Sequence, residues 1–485
     1  KGLTINPSLL LEAYNRYHTP VLARYLLQAY EVHGTGSTVT LDNLFEEESA
    51  KPDMEEIRRT AVQAEPLKST LSPVRGFAIM RTGSGDERTA LFFDYGYAHA
   101  AHSHADRLNI NIFTAGREFI PEMGYPEYMD SIAPTPGGWT THTVSHATVE
   151  VNEKRQLEGV FGDLHAFVHA DGVKYVDASC EDAYVHCNVN LYRRSLVLID
   201  VPGGAYVVDI FRVRGGRYHD YLFHGPPVDV KLNNVTLSNP RKGTLAGENV
   251  SFGEKPDEVL PYHVDNKGYQ YLFDVQKSET EEPYSARWEL EDGAAFNAAF
   301  LPERKETFFL TKGYPRPSSK TYPAMPFLVR RIISGGDMEI SQFASVLSVD
   351  RDASTPLVYE VRRLELSSDS DRGAYGIFVR HEHGEDVVLS TLGQDGYAVT
   401  ADGRFELRGQ LGVATWRGGK LERMTLAGGT IFSADGKSIS QETSGIKAAI
   451  KQVYENKLVL DRELPPETVG RVIFADRQPV TSSYW

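Results

Sequence analysis

Residues 102–126 read HSHADRLNINIFTAGREFIPEMGYP, and their period decides the fold. Leu108, Ile110 and Ile112 are apolar and Asn109 and Asn111 between them are polar, the two-residue alternation of a strand with one buried face. Ala115-Gly116-Arg117 reads as a turn and Glu118-Phe119-Ile120 as the returning strand, which delivers Glu122 just ahead of Gly124 and Tyr125. If the extended backbone already starts at His102, then His102, His104 and Asp106 share one face. Downstream, WTTHTVSH (residues 139–146) adds His142 and His146 before the strand-like Thr148-Val149-Glu150-Val151.

Outward from this hairpin the same punctuation continues. Short strands follow one another from Pro73 to about Leu364, the clearest being Val173 to Val176, Tyr192 to Asp200, Ala205 to Val213 and Val230 to Leu237. No helical crossover separates them, so the pattern predicts antiparallel sheets packed as a sandwich. Before Pro73 the period is helical. Asn6-Pro7 and Thr19-Pro20 are start signals, with apolar stripes at Leu10, Leu11, Tyr14 and Tyr17, then Val21, Leu22, Tyr25, Leu26 and Tyr30. Met54 to Ala64 reads as one more short helix. Ser367 to Asp371 is polar and marks a candidate boundary. The expected architecture is mainly β: a helical segment over 1–70, an antiparallel β-sandwich over 71–365 and a smaller C-terminal β-domain over 366–485.

The chain has 485 residues, 41% of them hydrophobic, with a formal net charge of −15. That composition is globular and the charge excludes a nucleic-acid binder, which needs a basic face. No apolar run is long enough to span a membrane. An acidic ligand would have to meet a local cationic cluster, for which Arg107, Arg193, Arg194, Arg212, Arg214 and Arg217 are available. Cys180 and Cys187 either pair across a hairpin or stay as two buried thiols. The first residue is Lys1 rather than Met, so the N-terminus is expected to have been processed, truncated or left out.

Two histidines two residues apart can share one metal ion, and a carboxylate with a third imidazole completes a tetrahedral set. The competing reading is a solvated, His-rich sheet edge. The metal reading selects His104, Glu122 and His146 around one divalent ion, zinc by its nitrogen-rich donors, with His142 as the substitute for His146. Asp106 is then a further ligand or the acceptor that fixes an imidazole tautomer. Trp139 lies beside these residues as a stacking candidate. Trp288 reads as core, and His219 and His224 as bonded to backbone carbonyls or facing a cleft.

The run from His102 to Pro126, with TVSHATVEVNEKRQ (residues 143–156), resembles the β-sheet domain of the heparinase II/III-like polysaccharide lyases. That family shows a His-x-His-x-Asp start, an acidic residue before Gly-Tyr and a Thr-x-x-His-Asn-Thr-Val segment. Thr143, His146, Thr148 and Val149 match, while Ala147 stands where Asn is usual and Glu122 where many members have Asp. DIFRVRGGRYHDYLFHGP (residues 209–226) resembles the family's later strands. The resemblance implies β-elimination on a uronic-acid-containing polysaccharide of alginate or glycosaminoglycan type, in a periplasmic or secreted setting. It implies that His102 is the catalytic histidine of the sheet, that His104 holds a structural zinc, and that Arg107, Tyr125 and Trp139 contact substrate. It also implies that residues 1–70 end an α/α toroid whose Asn-His pair and Tyr have no counterpart in residues 1–65. The chain is therefore expected to be the C-terminal part of a larger enzyme, to bind zinc alone with little turnover, and to dock its helices on the sheet domain, the toroid or a second copy. The alternatives are a non-catalytic carbohydrate-binding or accessory β-protein and a hydrolase that uses the His-x-His-x-Asp metal directly.

Overall fold

A computed structural model of the chain describes residues 7–34, 53–64, 67–97, 103–124, 139–254, 263–315 and 323–442, with short strands between 450 and 480. It falls into two compact units, residues 1–68 and 69–485. In the first, α1 (Pro7–Tyr17), α2 (Pro20–His33) and α3 (Met54–Val62) pack together. Thr19 caps α2 by accepting from the Leu22 amide, and Asp53 caps α3 by accepting from Glu55 and Glu56. Much of the two stripes is covered within the unit: Leu10, Leu11 and Tyr14 meet Leu26, Tyr30, Ile57 and Ala61 in one small core, while Tyr17 and Val21 stay exposed. The third helix supplies the surface that two helices lack. No helix among the described residues is long and apolar enough to cross a membrane.

The second unit is built of antiparallel sheets. An eight-stranded and a six-stranded sheet face each other as a sandwich, and a five-stranded sheet closes over their shared core. The strands Leu191–Val201 and Gly204–Arg214 are buried almost throughout because both of their faces are covered. Leu196, Leu198 and Phe211 point into the sandwich against Tyr221, Phe223 and Leu328. The intervening Val197, Ile199, Val208 and Ile210 point the other way, against Ile377, Val379, Leu411 and Val413 of a seven-stranded third layer. That layer starts at Val358–Arg363, so Ser367 to Asp371 lies inside it rather than ahead of it. Cys180 and Cys187 are buried free thiols.

Buried ion pairs staple the sandwich. Arg330 of the six-stranded sheet donates from Nε and Nη2 to the two oxygens of Glu306, each at 2.9 Å. Its Nη1 crosses to the carbonyl of Ala344 on the eight-stranded sheet at 3.3 Å. Both side chains of the pair are fully buried, so removing one partner strands the other charge. Glu306→Ala should lower unfolding stability by roughly 3–5 kcal/mol in a urea titration; a loss below about 1 kcal/mol would mean the pair is no more than a surface ion pair in its contribution.

Candidate metal centre

The strand that carries the site is Asn109–Thr114, paired to Thr89–Asp94. It does not extend back to His102. Leu108 sits at φ 64°, a left-handed turn that breaks the extended backbone, so His104 and Asp106 come from a loop and not from one strand face. The loop is nevertheless pinned at nearly every residue. The Ala105 amide donates to Thr141 O at 2.9 Å and its carbonyl accepts from Thr143 Oγ1 at 2.7 Å. The Arg107 amide donates to Gln156 Oε1 at 2.6 Å and its carbonyl accepts from Thr148 Oγ1 at 2.8 Å. Beyond the strand, Ala115 and Gly116 both have positive φ, 48° and 78°, the signature of a two-residue hairpin turn. The chain then returns to Glu122.

His146 closes the site from a short 3-10 turn, Thr143–Ser145, capped by His142. His104 Nδ1 stands 3.0 Å from His146 Nε2 and 3.1 Å from Glu122 Oε1, and His146 Nε2 stands 3.2 Å from Glu122 Oε1. Asp106 Oδ2 lies 4.0 Å from His146 Nε2, and one donor atom of each of the four residues falls within 4.8 Å of the others. Two donors on one tetrahedral zinc are about 3.3 Å apart for bonds near 2.05 Å, so small outward shifts of the three close atoms admit an ion. His146 Nδ1 donates to His142 O at 2.8 Å, which leaves the Nε2 lone pair facing the cluster. Asn109 Nδ2 reaches Glu122 Oε2 at 3.3 Å and Asp106 Oδ2 at 3.4 Å, holding both carboxylates.

The electrostatics favour a cation here. Burial alone would lower the proton affinity of His146, but Glu122 and Asp106 outweigh it and push its pKa up to about 9. Burial opposes ionisation of Glu122, yet His146 and His104 hold its carboxyl well below the usual range. His142 is different. Its Nε2 donates to Asn266 O at 2.8 Å and its Nδ1 accepts from the Val144 amide at 3.1 Å, so neither nitrogen is left for an ion. Burial, with the nearby Arg155 charge, drops it to about 3.

His104, Glu122 and His146 are thus brought together. Two expected substrate contacts are not available. The guanidinium of buried Arg107 is taken by Asp106 at 2.7 Å and by the carbonyls of Gly96 and His104. Trp139 is fully buried, its ring between Tyr271 and Phe327 at centroid distances of 5.5 and 5.2 Å. His102 and Tyr125 lie outside the described residues. Arg193 pairs with Asp177 and Arg212 bonds Ser195, Ser390 and Gln342, so neither serves an acidic ligand. His219 is buried on Ser341 Oγ and Gly215 O, and Trp288 is core.

Sequence reasoning missed the supports. Arg194 donates from Nη1 to Leu108 O at 2.7 Å and Ala147 O at 2.5 Å, and its other donors reach Asp209 and Tyr221. Charged residues recurring inside two long, strongly apolar strands, Arg194 and Asp209 among them, were the available signal.

Residues 64–304, which contain the whole cluster, match the family described as heparinase II/III-like, C-terminal. The chain carries the C-terminal domain of the heparinase II/III-like family. It is 23% identical over 350 residues to an exo-oligoalginate lyase of Saccharophagus degradans, covering 67% of this chain and 43% of that protein. The fold is similar to a heparan sulfate lyase, HepC, from Pedobacter heparinus, with TM-score 0.51, 12% identity and coverage of 79% of this chain and 48% of that one. It is also similar to a heparinase III, with TM-score 0.50, 13% identity and coverage of 80% and 48%. The chain spans less than half the length of these relatives. The relatives are polysaccharide lyases.

The neutral state of His142 has a pH signature. Between about pH 3 and 6.5 the unfolded chain takes up a proton at this residue that the folded chain refuses, so stability is lost as pH falls through 6.5. His142→Gln keeps a donor toward Asn266 and removes the titration. Its urea midpoint should fall less steeply than that of the parent between pH 6.5 and 4.5, and parallel curves would contradict a buried neutral imidazole.

Proposed function

We propose that this chain is the sheet-domain part of a lyase that cleaves a uronic-acid-containing polysaccharide by β-elimination, and that His104, Glu122 and His146 hold one structural zinc ion. The observation that carries the reading is the convergence of these three donors within the segment that matches the lyase family. Two imidazoles and a carboxylate suit zinc. The ion's place is to cross-link three separate segments: the loop before Asn109, the return of the hairpin and the 3-10 turn. Asp106, tied through its other oxygen to Arg107, stands behind His146 as the charge that orients it.

His102 is two residues before His104, so its Cα lies within about 7–8 Å of that of His104 by chain length alone. In the reaction a base takes the C5 proton of the uronate, the electron pair forms the C4–C5 double bond, and the C4–O bond breaks with a proton delivered to the leaving oxygen. The carbanion-like charge spreads onto the uronate carboxyl, which must be neutralised for the proton to leave. His102 is assigned to that neutralisation or proton exchange, as an imidazole placed beside the metal loop. Polymers of this kind lie outside the cytoplasm, so the setting proposed is periplasmic or extracellular.

Metal analysis of the purified chain should give one zinc per molecule, with His104→Ala and Glu122→Ala lowering it to background. In the intact protein, unsaturated uronate release should be measured over a panel of acidic polysaccharides, and His102→Ala should cut it at least about a hundredfold. No product from any polymer by a zinc-loaded protein would overturn the lyase reading and favour a carbohydrate-binding role.

A further inference from the structure

A cleft of about 510 Å³ opens on the rim of the six-stranded sheet between loop 245–254 and the strands Phe273–Thr280 and Glu306–Gly313. Three aromatic side chains line it. Phe273 and Tyr314 lie side by side, centroids 5.3 Å apart and planes 32° apart, as one platform. Phe252 stands almost perpendicular to both, at 5.5 and 5.4 Å, as a wall. Phe252 is 37% exposed and the other two are half-buried, so the rings present surface to solvent instead of closing a core.

The platform is rigid from beneath. Tyr271 meets Phe252 edge-on at 6.1 Å, and the buried Trp139 packs against Tyr271 at a tilt of 57° while its Nε1 donates to Tyr314 O at 2.6 Å. Trp139, expected to stack a sugar, thus works as the floor under three rings that can. Polar groups flank them: Asn249 and Ser251 are exposed, and their side chains have no hydrogen-bond partner among the described residues. A pre-set aromatic face beside free amide and hydroxyl groups matches a pyranose, whose C–H face packs on the rings while its hydroxyls bond at the edge. The charge narrows the class. Among the described residues lining the cleft there is no Lys or Arg, and Glu248 is the single charged one. A carboxylate or sulfate would meet a like charge there.

We infer that this cleft is a subsite for an uncharged sugar unit, and that the polymer taken up intersperses its uronic acids with uncharged sugars. The substrate assignment rests on the lyase reading above. Segment 139–146 carries Trp139 under the cleft at one end and His146 at the other, a span of at most about 25 Å, within reach of one oligosaccharide.

Calorimetric titration with two tetrasaccharides tests this: one alternating glucuronic acid with N-acetylhexosamine, the other made of uronic acids throughout. The parent protein should bind the alternating one at least about tenfold tighter. Phe252→Ala should erase that preference and Phe252→Trp should restore it, with Tyr359→Ala, which removes an exposed ring of the third layer outside the cleft, retaining it. Equal or tighter binding of the all-uronate tetrasaccharide, or an unchanged preference in Phe252→Ala, would overturn the subsite. Binding is read apart from turnover, so failure to release product counts against the lyase reading, and only the binding pattern counts for or against the subsite.

Discussion

The site depends on one buried cation, Arg194. A guanidinium has five N–H donors in a fixed fork, and here all five are placed: on Asp209 Oδ1 and Oδ2, on the Tyr221 hydroxyl, and on the carbonyls of Leu108 and Ala147. The two carbonyls belong to the residues that follow the metal-type donors, Leu108 after the His104–Asp106 loop and Ala147 after His146. Neither backbone group is in a ladder, and both are buried. Without Arg194 they would be unsatisfied acceptors, each costing on the order of 1–3 kcal/mol. With it, the eight-stranded sheet takes hold of both segments and sets their separation. The left-handed Leu108, a conformation that disfavours a branched side chain, is held by the same contact.

This explains a division between what the sequence states and what it conceals. The alternation at 108–112, the Ala115-Gly116 turn and the run of strands after Pro73 are local, so they read directly. The His104, Glu122 and His146 set reads through spacing and motif. Spacing alone leaves His142 open beside His146, and only the resemblance, through Thr143 and His146, prefers the second. The choice is made by the 3-10 turn, which points one ring at Asn266 and the other at Glu122. The start of the strand is also hidden, because nothing in the alternation of residues 108–112 signals the positive φ at Leu108. The arginines were the largest misreading. Arg107, Arg193, Arg194 and Arg212 look like a cationic patch in the sequence, yet each is buried against a carboxylate, a carbonyl or a hydroxyl.

Those buried charges make the chain's acidity easier to understand. The buried arginines are matched by buried carboxylates such as Asp106, Asp177, Asp209 and Glu306, so the formal charge of −15 falls almost wholly on the outer surface. Attraction of a polyanion then falls to local features beyond the described metal cluster. An uncharged sugar seated on Phe252, Phe273 and Tyr314 asks nothing of that surface charge, and a single uronate placed near His102 needs only one well-aimed donor set. Affinity carried by aromatic stacking and chemistry carried by one neutralised carboxylate are compatible with an acidic protein.

The central claim is that the cluster of His104, Glu122 and His146 is a zinc site and not a set of mutual hydrogen bonds. Diffraction from zinc-equilibrated crystals on either side of the zinc absorption edge addresses it most directly. The account predicts one anomalous peak about 2.0–2.2 Å from His104 Nδ1, Glu122 Oε1 and His146 Nε2, with His142 still bonded to Asn266. An empty cluster with the two imidazoles in hydrogen-bond contact, or a peak ligated by His142 in place of His146, would contradict it.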